Sequence, residues 1–217
     1  LVGLERGEAD TLAFFDFENG LPEGWETVDL TCEPHWHVTT TGAYEGQSYY
    51  CAIETPVGCG YLDLWEDHLQ TPEIHIPQGT TSLALTFVHK VDTESPGQPI
   101  WDGSAIFVSE DGGPFQIVFP QGGYSADSLR GFEDRGQIGT PGWTGLGDVW
   151  LSETFDLAEY GASSTIRVRY TFVSDVSVNS FSDGFTGVWV DEIALVGDGD
   201  TLFFDDAGDR APIQMTF

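Results

Sequence analysis

Carboxylates dominate the chemistry open to this chain. Its 217 residues include 36 acidic and 7 basic side chains, for a formal net charge of −29, and Lys90 is the one lysine. Several acids stand where strand ends and turns could aim them together. Asp16 and Glu18 are two apart in an extended run and so share a face. Asp102 opens a strand after a proline-rich loop, Asp175 ends one, and Asp191 lies within a third. Carboxylate oxygens are the ligands of a hard cation such as calcium, which takes about six to eight oxygens. At this charge the folded chain repels itself, so a bound divalent cation would stabilise it. The competing reading is that these are strand-edge and turn acids, expected by chance in so acidic a sequence.

Other site chemistries are poorly supported. Two histidines at i and i+2, His35 and His37, could reach one zinc ion with Cys32. No second ligand pair has suitable spacing, and an inward Trp36 would leave both histidines on the opposite face, as surface or hydrogen-bonded groups. Two carboxylates in a groove could hydrolyse a glycoside, but with so many acids no pair stands out. There is no Gly-x-Ser-x-Gly elbow, no His-Glu-x-x-His and no phosphate loop. A non-catalytic role is therefore expected. Phosphate backbones and anionic bilayers would be repelled, so neither nucleic acid nor membrane insertion is expected, and no run approaches the roughly 18 apolar residues of a span. Among the tryptophans, Trp65, Trp143 and Trp150 could stack on sugars. Trp143, inside the glycine-rich run 139–145, is the best candidate platform for a ligand.

Cysteine usage suggests an oxidising compartment. Cys51 and Cys59 flank a Thr-Pro-Val-Gly turn and form the expected disulfide, with Cys32–Cys51 and Cys32–Cys59 as the other pairings. The chain opens at Leu1 without methionine or signal peptide, as a mature, processed product or a trimmed fragment would.

The elements that must position these groups are strands. Helical periodicity is nearly absent, and short alternating runs are separated by Gly, Pro, Asn and Asp clusters. Leu83, Leu85 and Phe87 share one face. Ile166, Val168, Tyr170 and Phe172 alternate with Arg167, Arg169 and Thr171, giving a core face and a polar face. Asp111-Gly112 predicts a tight hairpin turn, and 156–160 predicts one helical turn. The irregular stretch from Pro120 to Gly147 is long enough for a functional or interaction surface. No linker or composition break appears, so residues 1–217 read as one domain: an all-β, antiparallel two-sheet jelly-roll sandwich with very little helix. The segment 10–16 echoes 200–205, Thr-Leu-(Ala)-Phe-Phe-Asp, read either as two strand starts with similar needs or as a repeat. The tail from 200 to 217 is strand-like, with Ile213, Met215 and Phe217 on one face.

In order, the segments resemble the MAM-like, concanavalin-type jelly-roll domains attached to secreted bacterial peptidases of the immune inhibitor A type. Phe15-Asp16-Phe17-Glu18 with Leu21-Pro22-Glu23-Gly24-Trp25 is similar to that family's opening, and Trp36-His37-Val38 to its second tryptophan strand. Ser48-Tyr49-Tyr50-Cys51, Gly60-Tyr61, and Leu69 through Ile74 resemble its next run. Trp101-Asp102-Gly103 through Gly113 resembles its hairpin, and Val188-Trp189-Val190-Asp191-Glu192-Ile193 a closing strand. The similarity spans roughly residues 12 to 197 and implies structural calcium without an active site. It draws Glu18 and Asp191, with Asp16 and Asp102, toward one cation site.

Two extracellular roles follow. One is a calcium-binding structural subunit that assembles with copies of itself into a filament or surface layer. There the donor strand is Ile213–Phe217 or the N-terminal 11–15, since an unpaired sandwich edge invites strand addition. The alternative is an accessory module of a secreted bacterial hydrolase that binds an extracellular carbohydrate or protein.

Overall fold

The computed structural model describes residues 14–15 and 26–29 as strand backbone, and residues 35–55, 58–94, 100–177 and 184–207. Fifteen strands are assigned among them: β1 (Phe14–Phe15), β2 (Glu26–Asp29), β3 (Trp36–Thr39), β4 (Ser48–Cys51), β5 (Ile53–Thr55), β6 (Gly58–Gly60), β7 (Glu66–Gln70) and β8 (Ile74–His75); then β9 (Leu83–Asp92), β10 (Gly103–Glu110), β11 (Gln116–Ile117), β12 (Leu151–Asp156), β13 (Thr165–Val173), β14 (Gly187–Gly197) and β15 (Asp200–Asp205). Helix among the described residues is confined to one turn, α1 (Arg130–Glu133), and a 3-10 turn at Ala158–Tyr160, within the stretch where the sequence predicts a helical turn.

Two sheets pack face to face. In the seven-stranded sheet, β14 lies at the centre. One edge pairs antiparallel with β9, which pairs on to β12. The other edge is divided: Val188–Val190 meet β4, and Ile193–Gly197 meet β15. The six-stranded sheet runs β11-β10-β13-β7-β2, with β8 also on β13. The chain passes between sheets from β9 to β10 to β12 to β13 to β14, the jelly-roll manner of connection. One buried apolar cluster between the sheets runs from Trp36 to Ala207. It takes Leu83, Leu85 and Phe87 from one side and Ile166, Val168, Tyr170 and Phe172 from the other, as their alternation requires. The β10–β11 hairpin turns through Asp111 (φ 47°) and Gly112 (φ 73°), and the Gly113 N–H donates to the Glu110 carbonyl at 2.7 Å.

Three expectations change. Cys51 and Cys59 are both free thiols, so the predicted disulfide is not formed. Alternation on β4 explains this: Tyr49 and Cys51 point into the inter-sheet core, whereas Cys59 packs with Tyr50, Ala52 and Trp189 on the outer face. Cys59 lies opposite Glu54, three residues beyond Cys51, too far for a bond that needs Cα atoms within about 7 Å. Trp143 is not a surface platform. It is 2% exposed and lies in the main core, its ring edge-on to His89 at 4.4 Å and to Tyr124 at 4.6 Å. Its glycine-rich surroundings serve close approach. The Trp143 backbone exchanges hydrogen bonds with Ser104, and a Cβ on Gly103 would stand 2.1 Å from the Trp143 carbonyl oxygen. Finally, the echoing segments are neighbours within one chain, since Phe14 and Phe15 pair in parallel with Phe204 and Asp205. The N-terminal candidate for strand donation therefore meets its own sheet at those residues. The other candidate, Ile213, Met215 and Phe217, lies outside the described residues.

Candidate functional site

Two places concentrate unusual side chains. The first lies where strands of both sheets end at the same pole of the sandwich. Asp102 immediately precedes β10, Asp175 follows β13, and Glu94 follows β9 of the opposite sheet. One carboxylate oxygen from each lies within 4.8 Å of the others. Asp102 is fully buried; its two oxygens accept from the Asp175 N–H and the Tyr61 hydroxyl, each at 2.8 Å. The Tyr61 oxygen also accepts from the Glu94 N–H at 2.9 Å, and the Asp175 carboxylate accepts from the Ser177 N–H at 2.9 Å. Burial pushes the Asp102 carboxyl up to about 8 against these hydrogen bonds, with Asp175 and Glu94 adding repulsion, and burial likewise raises Asp175. Hard oxygen donors, two of them buried and Glu94 half-buried, fit a divalent cation of the calcium type.

The predicted cation ligands are divided by the fold. Asp16 and Glu18 lie outside the described residues. Asp102 belongs to the trio. Asp191 does not: it sits on β14 in the other sheet, where a bulge between Asp191 and Ala194 puts Glu192 at φ 49°. There Asp191 accepts from Ser48 Oγ at 2.8 Å and from the Glu192 N–H at 2.7 Å, and burial raises its carboxyl to about 7. Asp205, also buried and raised, lies near enough to contribute repulsion from Asp191. The sequence pointed to Asp102 and Asp175 as strand-end acids. Glu94 carried no local signal, because only the meeting of the two sheets brings it in. The two histidines weighed for zinc serve separate carboxylates, His35 with Asp67 at 3.0 Å and His37 with Glu54 at 3.3 Å.

The second place is on the outer face of the six-stranded sheet. The long stretch after Pro120 lies over part of this face, where Leu129 and Phe132 cover Ala105 and Val173 in a small second core. Arg135 fastens it: its guanidinium donates to the carbonyls of Gly131, Ser174 and Trp65 and pairs with Glu66 at 3.0 Å. Beside this cover a groove of about 180 Å³ remains open, lined by Glu66, His68, Gln137, Arg169 and Thr171 together with Phe107, Phe115 and Phe132; Glu66 is the acid that Arg135 pairs with. His68 Nδ1 is 3.0 Å from Thr171 Oγ1. Burial, reinforced by Arg169, lowers the imidazole to about 4, so it is neutral at physiological pH. The Arg169 guanidinium lies 3.5 Å from the Phe115 ring centre, and its Nε and Nη2 both donate to Gln70 Oε1 at 3.0 and 2.8 Å. Planar polar groups set among aromatic rings can take a ligand that offers both hydroxyls and apolar ring faces.

The class is thus an antiparallel two-sheet β-sandwich with an acidic strand-end cluster and a polar-aromatic groove on one outer face. No protein-family model matches the chain, and no curated protein matches it in sequence. Among solved structures it is similar to the K1 cleaved adhesin domain of Lys-gingipain from Porphyromonas gingivalis W83, with 20% identity, TM-score 0.49, and 85% of this chain and 97% of that one covered. The K3 cleaved adhesin domain of the same protein gives 16%, 0.47, 83% and 95%. A structure described for carbohydrate-binding modules of the β-sandwich superfamily gives 13%, 0.49, 84% and 60%. These are likenesses of overall shape and assign no ligand to this chain. No helix among the described residues is long and apolar enough to cross a membrane.

Proposed function

We propose that this chain is a non-catalytic extracellular binding module whose ligand face is the outer face of the six-stranded sheet, and whose two sheets are tied at one pole by calcium. The groove carries the reading: neutral imidazole, guanidinium and hydroxyl groups converge there between phenylalanine rings on a rigid strand surface. Asp102, Asp175 and Glu94 would hold the cation, which supplies charge neutralisation between the ends of β9, β10 and β13. Carbohydrate is the ligand class that best fits hydroxyl-matching planar side chains beside aromatic rings. The self-assembly reading has less behind it, because Phe14 and Phe15 are already paired within the chain. Titrating isotopically labelled protein with oligosaccharides tests the proposal. Resonances of His68, Arg169 and Phe115 should move while those of buried Trp143 stay, and Phe115→Ala should abolish the shifts. Shifts confined to other surfaces would reject this face as the site.

A further inference from the structure

We infer that this outer sheet face is selective for acidic glycans, Arg169 in the groove and Arg167 two residues before it on β13 receiving carboxylated sugar residues; this rests on the binding-module reading above. The motivating observation is a failure of pairing where pairing should be easiest. The chain has 36 acids for 7 bases. Among the described residues, Lys90 pairs with Asp148, Arg130 with Glu133 and Asp134, and Arg135 with Glu66. Arg167 and Arg169 alone among the described lysine and arginine side chains have no carboxylate within ion-pair distance.

Both stand on β13 and, two residues apart, point from the same outer face. Arg169 has no direct ion pair; Glu66, in the same groove, is near enough to favour its charge but spends its own ion pair on Arg135. Two of the Arg169 nitrogens converge on one amide oxygen of Gln70, and Phe115 lies against the guanidinium plane, which leaves Nη1 without a partner among the described residues. Arg167 carries a buried Nε with no hydrogen-bond partner among the described residues. A guanidinium with donors to spare is matched by a carboxylate, which accepts in the plane of the fork. The strand spacing sets the two guanidinium-bearing residues about 7 Å apart, so neighbouring sugars of one oligomer can address both.

The net charge of −29 does not veto this ligand. At physiological ionic strength charges are screened beyond about 8 Å, so a bound sugar responds to Arg169, Arg167 and the Arg135-paired Glu66 nearby more than to the far surface. An acidic peptide is the rival anion. A peptide would be expected to add to a sheet edge through main-chain hydrogen bonds, whereas this groove lies on a sheet face among phenylalanines, where pyranose rings can stack.

The test is calorimetry on the calcium-loaded full chain with trigalacturonate, its carboxyl-reduced counterpart and tri-glutamate. Trigalacturonate is expected to bind at least about tenfold more tightly than the reduced sugar, a difference of about 1.4 kcal/mol. Arg167→Gln and Arg169→Gln should each remove most of that preference. Arg169→Lys, which keeps charge but not the fork, should restore only part of it. Unchanged thermal melting of the variants would separate lost recognition from lost folding. Equal binding of the acidic and reduced sugars overturns the acid selectivity and leaves the binding module standing. Binding of tri-glutamate as tight as trigalacturonate overturns the glycan assignment. If no sugar binds to folded protein, acidic or neutral, this inference and the glycan-binding reading fall together.

Discussion

His68 shows how a single buried side chain can make this fold pH-sensitive. Its imidazole titrates near 4 in the folded protein because burial and then Arg169 oppose its charge, against about 6.5 in an unfolded chain. Between those values the unfolded state binds a proton that the native state refuses, so the contribution of this side chain to stability falls as the pH drops from about 6.5 to 4. For this group the loss is up to about 3 kcal/mol. His68→Gln should therefore gain melting temperature relative to the parent protein as the pH drops from 7 to 4.5; parallel curves would show that His68 does not titrate this way. Cysteine offers a second residue-scale prediction. Because Cys51 and Cys59 face opposite sides of β4, peptide mapping without reduction should find no Cys51–Cys59 cross-link. Native-state alkylation should reach the partly exposed Cys59 well before the buried Cys51.

At the scale of elements, the segment after Pro120 behaves as part of the sandwich rather than as a loop laid on it. Trp143 extends the β10 edge through two backbone hydrogen bonds and sends its indole into the main core, while Gly103 and Gly142 keep the two backbones in contact. An alanine at Gly103 would drive its Cβ into the Trp143 carbonyl. Because both sides of that contact are backbone, relief requires β10 or the segment to shift. Gly103→Ala is expected to cost about 3 kcal/mol, at the upper end of overpacking effects. Trp143→Ala, which empties a large site in the core, should cost about 3–5 kcal/mol. Denaturant titration measures both. A Trp143→Ala protein with unchanged stability would mean the indole does not occupy the core.

The whole molecule is a strongly self-repelling body whose two sheets converge on one acidic pole. Asp102 and Asp175 belong to the ends of the six-stranded sheet and Glu94 to the end of β9 in the other. A cation there would bind only the assembled sandwich, and so would stabilise it by mass action, by about 2.7 kcal/mol at a hundredfold excess over its dissociation constant. For a chain of this size that corresponds to a rise in melting temperature of about 5–10 °C. Calcium should produce it and a chelator should reverse it. Asp102→Asn separates the two sides of the balance. It removes a buried acid that must take up a proton on folding when no metal is bound, so in chelator at neutral pH the variant should melt at or above the parent, and in calcium below it. If calcium moves neither protein, or moves both equally, the strand-end trio holds no cation.

The sequence alone determined what depends on nearest neighbours along the chain. Alternation in β9 and β13 marked their buried faces, Asp111-Gly112 marked its hairpin through the positive φ it needs, and the charge set the kind of partner the surface would repel. Strands such as β7 and β12 carry no such signal, because Glu66-Asp67-His68-Leu69-Gln70 and Leu151-Ser152-Glu153-Thr154-Phe155-Asp156 are polar runs that become strands by pairing with β13 and β9. Tertiary structure alone decided whatever joins distant segments. It buried Trp143, whose glycine-rich setting reads locally as a loop, and it put Cys51 and Cys59 on opposite faces. It brought Glu94 to Asp102 and Asp175, separated Asp191 from them, and left Arg167 and Arg169 without an ion-paired carboxylate in a chain full of acids. Periodicity fixes which way a side chain points from its strand, but which residues it then meets depends on how the strands are ordered and how the two sheets are laid together.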